Sequence, residues 1–192
     1  MNILDLITLI VIKEAKQIGR YTLKKALELS EGRTRSRLRK LLNDGLIGAS
    51  PLGAYLTSKG ETALSKGFSD LKIKKYIFTE QPFLGLTLNH YIFQISKPVI
   101  EKRKLLQLRD EAIRGGASTA TFIIFDKGRL TVPGVYENLE KEDEKSCTLI
   151  KNNFKLEDGD LLIVASSENR WLAVRGGLNA IKALIEDEKI EI

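Results

Sequence analysis

Cysteine and histidine are almost missing from this chain: its 192 residues hold one of each, Cys147 and His90. A single cysteine excludes an intramolecular disulfide and points to a reducing compartment. One histidine with one cysteine cannot assemble the usual zinc ligand sets, and a thiol–imidazole dyad would require those two residues to meet. No glycine-rich phosphate loop is present. The apolar run Ile3 to Ile12 is interrupted by Asp5 and followed by Lys13 and Glu14, too short to span a bilayer and without a signal-peptide cleavage pattern. These absences lead to the expectation of a soluble, cytoplasmic protein that is not an enzyme. No cofactor, metal or catalytic residue is expected.

What is present is enough to fold: 43% of residues are apolar and 29% charged, outside the disordered range. The net charge of +6 is uneven. Residues 1 to 75 hold fifteen Lys/Arg against seven Asp/Glu, and residues 76 to 192 hold sixteen against eighteen. A basic front half joined to a mildly acidic back half fits a nucleic-acid module joined to something else.

Five cations fall within eight residues: Arg33, Arg35, Arg37, Arg39 and Lys40. Leu38, Leu41 and Leu42 recur among them at helical spacing, and Gly45 ends the run. This predicts a helix over Thr34 to Asp44 anchored by leucines and turning cations outward, a form suited to a polyanion. Before it, the pattern predicts a helix from Asn2 to about Ile18 and another over Leu23 to Leu29 with Thr22 as N-cap, then a Ser30-Glu31-Gly32 turn. After it, Leu46 to Ala49 and Ala54 to Thr57 form a hairpin about Ser50 to Gly53, and a further short helix follows. Helix, helix, helix, hairpin, helix is winged-helix order, and its third helix is the one that enters the major groove.

The matching residues are Thr34-Arg35-Ser36-Arg37, Leu42-Asn43-Asp44-Gly45-Leu46-Ile47 and Tyr55-Leu56-Thr57-Ser58-Lys59-Gly60. On these the stretch resembles winged-helix regulators of the multiple-antibiotic-resistance type over about residues 1 to 70. Two departures stand out: Arg35 replaces a small apolar residue, and the wing tip carries no lysine or arginine. The recognition helix would then supply most of the affinity.

Leu71 to Lys75 reads as a linker to a second domain over 76–192. There, strands are expected at Tyr76 to Thr79, His90 to Ile95, Thr119 to Phe125, Leu130 to Val132, Leu149-Ile150 and Leu161 to Ala165. Long helices are expected at Val99 to Arg114 and Leu172 to Asp187, and Glu137 to Lys145 reads as helix or loop. The fold class is α+β: an N-terminal winged helix-turn-helix, then an α+β domain with two long helices on a mixed or antiparallel sheet. Ile124 to Pro133 and Leu156 to Val164 resemble the hairpin and Gly-Asp turn of the ligand-binding domains of TrkA-type potassium-uptake regulators. The whole layout resembles archaeal winged-helix regulators with an uncharacterised C-terminal domain.

His90 sits in an apolar alternating run and reads as structural. The acidic cluster Glu140, Glu142, Asp143 and Glu144 reads as a solvated face. Arg114-Gly115-Gly116 reads as a helix end and Arg175-Gly176-Gly177 as a kink or close packing, with an anion at Arg175 as the weaker alternative. Trp171 reads as core or interface. The expected DNA-binding set is Arg33, Thr34, Arg35, Ser36, Arg37, Arg39, Lys40 and Asn43. Of these, Ser36, Arg37, Arg39, Lys40 and Asn43 are the base-edge candidates, and Arg33 and Arg35 the phosphate contacts. The expected partners are double-stranded DNA, a second copy in a homodimer and a small-molecule effector of the second domain. The rivals are a protein–protein module and, more remotely, an enzyme fused to a winged helix, as in riboflavin kinases that carry one.

Overall fold

The computed structural model describes residues 1–98 and 104–188 and falls into two compact units, Met1–Asp70 and Leu71–Ile192.

In the first unit, α1 (Ile3–Ala15) is capped by Asn2, whose side chain accepts from the Asp5 amide at 2.8 Å. Every residue from Asp5 to Ile12 is buried, so this helix is the core rather than a surface element. The helix ends before Ile18, which instead bridges Ala54 through two backbone hydrogen bonds of 3.0 and 2.9 Å. Gly53 permits that approach, since a Cβ there would lie 2.4 Å from the Ile18 carbonyl oxygen at a φ of +126°. Next, α2 (Arg20–Leu27) is capped by Gly19 rather than at the expected Thr22. Ser30-Glu31-Gly32, expected as a turn, opens α3 (Glu31–Asn43): Ser30 is its N-cap, accepting from the Arg33 amide. A serine followed by an acid at the first helical position is a helix start. β1 (Ile47–Ser50) pairs antiparallel with β2 (Gly53–Leu56), and α4 (Ser58–Asp70) follows. The Thr57 hydroxyl fixes that exit, donating to the Gly45 carbonyl at 2.7 Å and accepting from the Gly60 amide at 3.1 Å.

In the second unit, Leu71 to Lys75 is not a linker. β3 (Ile73–Thr79) starts inside it, and Lys74 is pinned to Asp160. β4 (Asn89–Ile95), β5 (Thr119–Asp126), β6 (Arg129–Thr131) and β7 (Leu161–Ser167) complete a five-stranded sheet in the order β3-β4-β7-β5-β6. Each pairing is antiparallel, which removes the mixed-sheet option. The protein is therefore α+β. One sheet face is covered by α5 (Lys104–Arg114) and α8 (Arg170–Glu188), which pack on each other and on β4, β5 and β7. The expected start of the first of these at Val99 lies outside the described residues.

The opposite face carries α6 (Leu139–Glu142) and α7 (Glu144–Asn153). Leu149-Ile150, expected as a strand, belongs to α7. Two apolar neighbours do not distinguish strand from helix, and the Asp143 cap before them decides it, accepting from the Ser146 amide at 3.0 Å. Ile150, Cys147 and Leu139 join Ile92, Ile123, Leu162 and Val164 in this second core. No described helix is long and apolar enough to cross a membrane.

Candidate nucleic-acid interface

The register of α3 decides what each side chain can do. Thr34 and Leu41 are buried, and Arg37 and Leu38 are half-buried. With 3.6 residues per turn these four form the inner face, and Gly32, Ser36, Arg39 and Asn43 lie opposite them. Arg33, Arg35, Lys40 and Leu42 flank that outer row, all exposed. The expected leucine face is thus rotated: Leu42 is 39% exposed, and Thr34 takes its place inward. The Thr34 hydroxyl donates to the Ser30 carbonyl at 3.0 Å, so this residue holds the helix start and does not face outward.

Arg37 is also turned in. Its Nη1 donates to Oδ1 of Asp5, and Lys40 Nζ reaches the other carboxylate oxygen at 2.6 Å. Asp5 is 2% exposed on α1, and a buried carboxylate is tolerable only with such partners. Arg35 lies 3.8 Å from Glu31, which also binds Arg20 at 2.9 Å. Both are exposed pairs of small energetic value. Arg33 and Arg39 make no ion pair with a described residue. The wing turn is apolar, with Leu52 74% exposed.

In the second unit, the polar groups singled out by sequence are spent on packing. His90 is fully buried between Ser166 (Nδ1 to Oγ, 2.7 Å) and the Leu86 carbonyl (Nε2 to O, 3.2 Å). A carbonyl only accepts, so Nε2 carries the proton and Nδ1 accepts from the Ser166 hydroxyl. Burial lowers the pKa of this imidazole and keeps it neutral. Cys147 is buried in the apolar core, and that burial pushes its thiol pKa up. In the acidic cluster, burial alone would raise the Asp143 pKa, but hydrogen bonds from the Ser146 hydroxyl and amide hold it below the usual carboxylate range. Glu140 pairs with Lys151 at 2.8 Å. Among the described residues no group of three or more His, Cys, Asp or Glu could hold a metal ion.

The two Arg-Gly-Gly tripeptides meet each other where α5 crosses α8. A Cβ on Gly115 would lie 2.7 Å from the Gly176 Cα, and one on Gly176 would lie 2.6 Å from the Ala112 carbonyl oxygen. Arg175 Nε donates to the Gly115 carbonyl, tying the crossing. Arg170 lies over the Phe78 ring at 4.0 Å and the Trp171 ring at 4.3 Å, which makes the half-buried Trp171 a packing residue. An open cleft of about 1070 Å³ runs between β3 and α7, lined by Ile77, Thr79, Pro82, Thr148, Leu149 and Asn152 among others.

Asp160 is a site residue that sequence reasoning misses. It is fully buried, accepting from Lys74 Nζ at 3.0 Å, Gln94 Nε2 at 2.7 Å and the Glu157 amide at 3.0 Å. Asp5 is missed in the same way. In both cases the available signal is an acid beside or within an apolar run, which demands a cation from elsewhere.

Residues 88–184, about half the chain, match the model of a family described as "Domain of unknown function (DUF4443)". That match runs from the β3–β4 connection into α8 and leaves α3 outside it. A solved structure, "Hypothetical protein PH0730 from Pyrococcus horikoshii OT3", is similar over 98% of this chain and 95% of its own, with a TM-score of 0.73 and 24% identity. At that identity the likeness speaks for the fold alone. No curated protein matches.

Proposed function

The chain belongs to the family described as Domain of unknown function (DUF4443), and for this member we propose a DNA-binding transcription regulator of the cytoplasm that lays α3 in the major groove. One observation carries the reading: α3 is fastened to its core through Thr34 and Leu41 and turns Ser36, Arg39 and Asn43 outward, flanked by Arg33 and Arg35. Arginine pairs bidentately with guanine and asparagine with adenine, each worth about 1–3 kcal/mol of discrimination. Arg33 and Arg35, in the first turns, serve the phosphates and set register. Since two such helices on one face of DNA need a two-fold partner, the reading includes a homodimer. The second unit would supply that contact or take a small-molecule effector, for which the β3–α7 cleft is the available space.

The test is a salt titration of binding to random and selected duplexes by fluorescence anisotropy. A steep salt slope is expected, and the combined Arg33→Ala, Arg35→Ala and Arg39→Ala variant should lose roughly a hundred-fold in affinity near 0.1 M salt. No measurable binding at about 50 mM salt would sink the reading. It would leave the protein–protein module as the reading of the first unit.

A further inference from the structure

Resting on that reading, we infer that Asp5 is an internal rival of DNA phosphate, which withholds Arg37 and Lys40 from the duplex and so sets how many cations α3 can offer. Asp5 stands alone as an acid in the apolar run Ile3 to Ile12. Its side chain is 3% exposed, and its two oxygens take one cation each, Arg37 Nη1 on Oδ1 and Lys40 Nζ on Oδ2.

Arg37 is enclosed: its side chain is 18% exposed, and its Nε is buried without a hydrogen-bond partner. Lys40 is different. Its side chain is 55% exposed, and the triad opens on a surface cleft lined also by Asn2, Leu4, Arg33 and Ser36. A duplex seated on Arg33 and Ser36 therefore approaches within reach of the Lys40 ammonium. Two anions then compete for it. The Asp5 carboxylate is already desolvated and acts through low dielectric, whereas a phosphate acts through water and its own counterions. The buried anion wins, and Lys40 serves the α1–α3 junction instead of the groove.

The cations that look equivalent in sequence therefore differ in role. Arg33, Arg35 and Arg39 are available to DNA, and Arg37 and Lys40 position the helix. Asp5 acts through them as a positioning residue and touches no nucleic acid.

The test compares salt slopes of the full chain on a random duplex for the unaltered protein, Asp5→Asn, Lys40→Ala and the double variant. One neutralised phosphate is worth about 0.9 in the slope of log K against log salt. Asp5→Asn should steepen the slope by about 0.9 and tighten binding about three-fold at the low-salt end. Lys40→Ala should reduce the slope by less than about 0.3 when Asp5 is present, and by about 0.9 in the Asp5→Asn background. A reduction of about 0.9 from Lys40→Ala in both backgrounds overturns the inference while leaving DNA binding intact. Weaker binding by a folded Asp5→Asn protein also overturns it. If Asp5→Asn fails to fold, Lys40→Ala alone decides, because it keeps the buried Asp5–Arg37 pair. A reduction below about 0.3 then supports the inference, and a larger one refutes it. Failure of the unaltered protein to bind any duplex brings down the DNA reading and this inference together.

Discussion

Each unit buries an acid that draws its cations from elsewhere in the chain, and the two differ in what this leaves on the surface. In the first, one buried acid draws in two cations of α3, and Arg33, Arg35 and Arg39 are left on the surface. In the second, the buried polar groups are satisfied by partners within the unit: Asp160 by Lys74, Gln94 and the Glu157 amide, His90 by Ser166 and Leu86, Asp143 by Ser146. A group whose hydrogen bonds are all made inside the fold has nothing left for a ligand. The polar interior of the second unit is thereby occupied with packing, and the first unit keeps Arg33 and Arg39 on its surface without an ion pair to a described residue. The basic character of the front half also contracts on inspection, because Lys72, Lys74 and Lys75 belong to the second unit.

This contrast can be broken most forcefully at Asp160. Asp160→Ala should cost about 3–5 kcal/mol, because it leaves Lys74 and Gln94 facing an emptied site. Urea denaturation followed by circular dichroism measures it, and a cost under about 1 kcal/mol would show that the network is not structural. A smaller effect is expected from His90. Its pKa is lower in the folded than in the unfolded chain, so between those values the unfolded state binds more protons. Stability is then fully present above the unfolded value of about 6.5 and declines as pH falls through it, by at most about 1.4 kcal/mol per pH unit. His90→Phe should flatten that region of the stability–pH curve. A curve flat in the unaltered protein would mean that the imidazole titrates normally. The smallest effect belongs to the wing. Leu52→Lys adds a cation to the uncharged tip and should tighten duplex binding by about three-fold at low salt. No change would place the wing away from DNA.

Much of the first unit is legible in the sequence because caps and turns are local: Gly45 at the end of α3 and the hairpin about Pro51 follow from neighbours in the chain. The errors there lie at helix ends and in the facing of α3: α1 stops at Ala15 before Ile18, and Leu42 turns outward where Thr34 turns in. Thr22 and Gly19 both precede apolar periodicity, and Ser30 resembles a turn residue because Gly32 follows it. The role of Arg37 is not readable in the same way, because its partner Asp5 lies 32 residues away on another helix. The same holds for Arg-Gly-Gly: each copy is readable as a helix end or a close approach, but that the two copies pack against each other depends on how α5 crosses α8. Strand existence in the second unit follows from alternation, and strand order does not.

That order has a kinetic consequence. β7 lies at the centre of its sheet between β4 and β5, yet it follows both of them, and β6 as well, along the chain. Until residues 161–167 have been made, β3–β4 and β5–β6 are two separate hairpins with no shared neighbour. The second unit therefore closes late and over long loops, a slow step for a domain of its size. The first unit, built from consecutive helices and a short hairpin, can fold on the ribosome before its successor has a sheet at all. During that interval the inner edges of β4 and β5 are open, and synthesis rate or a chaperone would act on the yield of this protein there rather than at α3.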